Sequence, residues 1–89
     1  MLQPVYTKRF EKDLKLSRKR GKNLQKLKDV IEILLSGSRL PEKNYDHWLV
    51  GNYSDRRECH VEPDWLLIYK PEKHEIIFER LGSHADLFG

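Results

Sequence analysis

The sequence predicts an α+β fold: a short strand, two helices, then three more strands. Three observations carry that expectation. Between residues 24 and 35, Leu24, Leu27, Val30, Ile31, Leu34 and Leu35 fall on one broad face of a helix. Just before it, Tyr6, Phe10 and Leu14 recur at four-residue spacing within a basic stretch. Beyond residue 52, three runs rich in β-branched and aromatic residues are separated by Pro63-Asp64 and Pro71-Glu72-Lys73, the punctuation of an antiparallel meander.

In chain order, Val5-Tyr6 end the first strand. The first helix runs to about Arg20, where Gly21 is a natural stop, and Asn23 is a natural cap for the second. Gly37 ends that second helix. The pair reads as a hairpin packed on something flat, because Lys22, Lys26, Lys28, Asp29 and Glu32 all fall off its apolar face. Residues 38–52 read as a loop, with Pro41, Asn44 and Gly51 as breakers. That loop nevertheless holds Tyr45, His47, Trp48 and Leu49, and a loop dense in aromatics and a histidine is more often functional than one of Ser and Gly. The strands follow at about 53–61, 65–70 and 75–81.

Strand alternation sorts the chemistry by face. Cys59 and Val61 suit a face covered by helices, which leaves Arg56, Glu58 and His60 on the open one. Trp65-Leu66-Leu67-Ile68-Tyr69 is apolar on both faces, as befits a central strand. The last strand is ambiguous: Ile76, Phe78 and Arg80 alternate with Ile77, Glu79 and Leu81, so an open-face Arg80 would put Glu79 toward the helices or their rim.

Length and composition bound the rest. With 89 residues, the chain is expected to be one domain over 1–89; 35% are charged and 38% apolar, so the core must come from a few well-patterned stretches. The net charge of +3 hides an asymmetry: residues 8–28 hold ten Lys or Arg against Glu11 and Asp13, a local +8. Such a segment on an otherwise slightly acidic domain suits a polyanion or an acidic protein partner, or serves only as a solvated face. Cys59 is the one cysteine, which fits a reducing cytoplasm and gives neither an internal disulfide nor a zinc site. No apolar run nears the roughly 20 residues that span a bilayer, and Met1-Leu2-Gln3-Pro4 lacks a signal peptide's apolar segment. The expectation is a cytoplasmic protein with no membrane contact.

The histidines stand at 47, 60, 74 and 84, without helical metal-ligand spacing, so no metal or other cofactor is expected. Imidazole is the side chain suited to moving protons near neutral pH. RNA cleavage through the 2′-hydroxyl needs a base, an acid for the leaving 5′-oxygen, and positive charge at the developing phosphorane. His60 and His84 with Asp64 between them, Arg80 as cation and His47 from the loop would supply these. Arg56 and Glu58 share the face of His60 and are candidates for substrate contact; Leu87 and Phe88 can dock the segment bearing His84. Each residue also has a plainer explanation. A lone histidine is often a surface residue, and His74, beside Lys73 and Glu75, is left as one. Asp64 after Pro63 is ordinary turn chemistry. Trp65 and Phe88 can be core instead of stacking platforms, and Arg80 can simply pair with Glu58 or Glu79.

The runs Asp46-His47, Arg57-Glu58-Cys59-His60-Val61-Glu62-Pro63-Asp64-Trp65-Leu66-Leu67-Ile68-Tyr69 and Glu79-Arg80-Leu81-Gly82-Ser83-His84-Ala85-Asp86-Leu87-Phe88-Gly89 resemble the YafQ-like branch of the RelE toxin superfamily. With the basic helical hairpin, the resemblance spans essentially the whole chain. It implies a RelE-like β-α-α-β-β-β fold, the hairpin on one face of a four-stranded, mainly antiparallel sheet and the RNA site on the other. It implies a bacterial type II toxin that cleaves mRNA in the ribosomal A site and is held inactive by a cognate antitoxin. His47, His60, Asp64, Trp65, His84 and Phe88 match positions important for activity in such toxins, and Arg80 matches the phosphate-side arginine. His84 is the candidate general acid; His60 and Asp64 take base or orienting roles, His47 acid–base support or phosphate contact. Trp65 and Phe88 would position bases or shape the site. Trp48 departs from the proline that relatives often carry after the loop histidine, and Glu58 from the aspartate of some. Two other readings stay open at this point: a non-enzymatic toxin of the same fold, and an RNA- or ribosome-binding module whose histidines only make contacts.

Overall fold

Gln3–Tyr6 form β1 in the computed structural model, which describes residues 1–89. Thr7 ends it, because its hydroxyl accepts the Phe10 N–H at 3.0 Å and caps α1, Lys8–Lys19. The same hydroxyl donates to the Glu79 carbonyl at 3.1 Å, pinning the start of the helix to the sheet. Gly21, at φ +75°, makes the turn that a side chain would resist, and Asn23 accepts from Gln25 N–H to start α2, Leu24–Leu35. The expected hairpin is there, and it lies on a sheet.

That sheet has five strands rather than four. Its order is β1-β5-β4-β3-β2, with β2 His47–Trp48, β3 Arg57–Glu62, β4 Trp65–Pro71 and β5 Glu75–Gly82. β1 runs parallel to β5 and every other pairing is antiparallel. The additional strand comes from the segment expected to be loop: His47 pairs with Glu58 and Trp48 with Arg57. Two residues are too few for alternation to register in sequence. Single 3-10 turns at Glu42–Asn44 and Gly51–Tyr53 flank them, and the second delays β3 to residue 57 instead of 53.

Between α1–α2 and the sheet, Phe10, Leu27, Val30 and Leu34 meet Cys59, Trp65, Leu67, Tyr69, Phe78 and Leu81. Burial pushes the Cys59 thiol well above its ordinary range, which makes it an inert core residue. On the other face Leu66 and Ile68 are covered by Leu87 from a short C-terminal helix, α3, His84–Phe88. Leu49 and Tyr53 pack beside them.

The ambiguity of β5 is resolved by a β-bulge. The ladder pairs Tyr69 with Phe78 but Ile68 with Arg80, so Glu79 is the extra residue. Phe78 and Leu81 can then both face the helices, as both lie in that core. Glu79 and Arg80 fall together between them on the side of Ile68. Strict alternation had forced a choice between the two; the bulge removes it.

Candidate active site

Asp46 sets the geometry of the loop. Its carboxylate accepts the Tyr69 hydroxyl at 2.7 Å and Arg57 Nε at 3.1 Å, both from the helix-covered side. Burial, then the bond to Asp46, pushes the Tyr69 phenol well above its ordinary range, so it stays a donor. The next residue, His47, therefore emerges on the open face opposite Glu58.

Glu58 is 4% exposed, and two imidazoles converge on it. His47 Nε2 lies 3.5 Å and His60 Nε2 3.6 Å from its Oε1. The other ring nitrogens face carbonyl oxygens, His47 Nδ1 that of Tyr45 at 2.8 Å and His60 Nδ1 that of Pro63 at 3.1 Å. A carbonyl only accepts, so Nδ1 carries the proton on both neutral rings and Nε2 is left with its lone pair. The separations from Glu58 are too long for formed hydrogen bonds, but an imidazolium on either ring meets a carboxylate at once. Asn44, buried, donates from Nδ2 to the His60 carbonyl at 2.8 Å and holds the loop against β3.

The Pro63-Asp64 turn links this pair to the third histidine. Pro63 supplies the carbonyl for His60, and Asp64 accepts the backbone N–H of His84 at 2.9 Å. The Asp64 oxygen that makes this bond is committed to orienting α3, which favours the orienting over the base role. Ser83 and Asp86 form a reciprocal capping box at the start of α3, and Arg20 Nη1 reaches Asp86 at 2.7 Å. Gly82 allows the chain to double back, since a Cβ there would sit 2.9 Å from Asp86 Cβ. Phe88 stays at the surface with its ring 5.1 Å from His84 and edge-on to Tyr53.

The hydrogen bond from Arg20, then those from Ser83, hold the Asp86 carboxyl down at about 2, against an ordinary value of 3.8. A depressed folded-state pKa stabilises the docked helix above the ordinary value and loses that contribution as pH falls toward 2. NMR titration of the Asp86 carboxyl carbon is expected to show this low midpoint, and Arg20→Gln to move it up toward the ordinary value, the Ser83 hydrogen bonds still holding it below. An unchanged midpoint in that variant would remove Arg20 as the cause.

The cations sit less freely than the sequence suggested. Arg80 pairs with neither Glu58 nor Glu79 but with Asp13 of α1, Nε to Oδ2 at 2.8 Å. Asp13 also accepts the Leu81 N–H at 2.9 Å. Arg56 takes Glu79, with Nε 3.1 and 3.2 Å from its two oxygens. Along residues 8–28, Arg20 is held by Asp86, and Lys22 and Lys26 by Glu62, while the other seven basic side chains have no carboxylate within ion-pair distance.

Trp65 requires a correction. It is 1% exposed, faces the helices and donates its indole N–H to Ser17 Oγ at 3.1 Å, so no face of it is open to a base. Of the two parts expected of it, burial removes the stacking one. Tyr45, which had no role among the expected site residues, stands between the two imidazoles instead: 63% exposed, it lies against both His47 and His60. The density of aromatics in its loop was the signal. His74 lies in the β4–β5 turn, away from this cluster. No group of three or more His, Cys, Asp or Glu side chains is arranged to hold a metal ion. No helix is long and apolar enough to cross a membrane.

Comparison with known proteins gives a consistent answer. Residues 2–89 match the family described as "Bacterial toxin of type II toxin-antitoxin system, YafQ". The chain is 45% identical over 85 residues to the mRNA interferase toxin YafQ of Escherichia coli K12, covering 94% of this chain and 92% of that one. It superposes with a TM-score of 0.93 on a chain of the E. coli DinJ-YafQ complex, 42% identical, covering all of both. A metal-bound toxin from Helicobacter pylori is also 42% identical with a TM-score of 0.93, over 99% of this chain and all of that one.

Proposed function

The chain belongs to the YafQ family of type II toxin-antitoxin toxins, and from that membership we propose that it is an endoribonuclease that cleaves mRNA in the ribosomal A site. The observation that carries this reading is the convergence of two imidazoles on one buried carboxylate of the open sheet face, with a third histidine docked beside their turn. The two point Nε2 at that carboxylate, and the third is tied to them through a single turn.

The reaction needs no group beyond these side chains. His60 Nε2 takes the proton of the 2′-hydroxyl as O2′ attacks the adjacent phosphorus. The P–O5′ bond breaks and His84 delivers a proton to the departing O5′, leaving a 2′,3′-cyclic phosphate and a 5′-hydroxyl. Glu58 faces the imidazolium formed on His60. Arg80, held in place by Asp13, offsets the charge gathering on the phosphorane, and His47 joins it when protonated on Nε2 as well. Asp64 orients His84, Phe88 and Trp65 shape the pocket, and Arg56 and Glu58 border the substrate. The seven unpaired basic residues of 8–28 suit ribosomal RNA, through phosphate contacts that weaken with salt. They also suit an acidic antitoxin, and the E. coli relative is solved as a DinJ-YafQ toxin-antitoxin complex. One domain in the bacterial cytoplasm, where translation runs, would meet both partners.

Purified protein added to translating ribosomes is expected to cut message within codons in the A site, read as new 5′ ends by primer extension. A chelator selective for transition metals, which spares ribosomal magnesium, is expected to leave the cutting unchanged. Loss of cleavage on chelation, restored by a divalent ion, would overturn the metal-independent part and recast His47, Glu58 and His60 as ligands. Intact message on stalled ribosomes would overturn the nuclease reading and leave a binding module.

A further inference from the structure

We propose that Tyr45 is the platform on which the nucleobase beside the scissile phosphodiester stacks, and that its ring sets the nucleotide preference there. The inference rests on the endoribonuclease reading above. Tyr45 is the one aromatic side chain in contact with both His47 and His60, its ring centroid 4.6 Å from the first and 5.5 Å from the second. It is also the most exposed aromatic residue of the chain, at 63%. Most of its surface therefore lies bare within one ring's width of the two nitrogens that meet the ribose and phosphate.

The other exposed aromatics are engaged elsewhere. Trp48 carries the Arg57 guanidinium over its ring at 4.7 Å, and Phe88 packs against Tyr53 and His84. Tyr6 stacks between Phe10 and Phe78 at the far edge of the sheet. Trp65 is closed off in the core.

The backbone of Tyr45 is the second observation. It sits at φ +45°, ψ +56°, a left-handed conformation that a bulky side chain adopts only at some cost. Glycine or asparagine would be the ordinary occupant. The neighbouring asparagine, Asn44, is committed to the His60 carbonyl. The strained geometry does two things at once: the Tyr45 carbonyl meets His47 Nδ1 at 2.8 Å, and the ring lies against both imidazoles, tilted to His47 and edge-on to His60. Glycine would do the first with less strain and could not do the second.

Two variants separate the ring from the backbone. Tyr45→Phe keeps the ring, whereas Tyr45→Gly keeps the carbonyl and relieves the strain. Base–aromatic stacking corresponds to about 5- to 150-fold in binding per base. Tyr45→Gly is expected to raise KM within that range with kcat little changed, because stacking is equal in ground and transition states. It should also flatten the nucleotide preference around the cut, while Tyr45→Phe preserves both. Wild-type KM and preference in Tyr45→Gly would overturn the proposal; so would a fall in kcat alone. The complementary measurement uses an RNA oligonucleotide carrying a 2′-deoxy sugar at the cut position. Ring-current shifts at the Tyr45 ring protons support stacking, and shifts at His47 and His60 without any at Tyr45 refute it. If those shifts appear but the all-ribose RNA stays uncut on ribosomes, the nuclease reading falls and the platform stands.

Discussion

His84→Ala is expected to lower mRNA cleavage by about 100- to 10,000-fold, the usual contribution of a positioned acid or base, with the fold intact. The structure explains why these effects separate. What docks α3 is its backbone and other side chains: the His84 N–H to Asp64, the Ser83–Asp86 capping box, Arg20 on Asp86, and Leu87 in the open-face cluster. The exposed His84 ring touches the Phe88 ring and anchors nothing. Alanine is also the better helix former, so the stability change should stay within about 0.5 kcal/mol. The checks are primer extension on translated message and a urea unfolding midpoint. Undiminished cleavage by the folded variant would take the acid role from His84 and return it to His47 or His60.

Local signals were legible where one residue determines one feature. Asn23 and Gly21 set the helix boundaries, and the six apolar positions of α2 set its buried face. The faces of β3 also followed from alternation, with Cys59 in the helix-side core and Glu58 among the imidazoles. Features that depend on a partner distant in sequence were hidden. Nothing around Arg80 announces Asp13, 67 residues away, and the bulge at Glu79 exists only against β4. β2 has no identity apart from its pairing with β3. Asp64 illustrates the boundary between the two cases. Its nearness to His84 followed from the docking expected of Leu87 and Phe88, but that it would hold the His84 main chain did not.

Trp65→Ala is expected to be the most destabilising single substitution in the site region, and its loss of activity should follow from unfolding. The indole is 1% exposed among residues of both layers, and truncating such a side chain costs about 3–5 kcal/mol. It also leaves the buried Ser17 hydroxyl without its donor. A domain of this size has about 5–15 kcal/mol in total, so the thermal midpoint should fall by at least about 12 °C. Phe88→Ala is the informative contrast. Phe88 is 42% exposed beside His84, and its removal should reduce cleavage while the midpoint barely moves. A Trp65→Ala variant with a wild-type midpoint and no cleavage would restore the stacking role that burial argues against. The two aromatics looked alike in sequence, Trp65 following Asp64 and Phe88 standing four residues after His84. The side of the sheet that each one faces makes one part of the frame and leaves the other exposed beside His84.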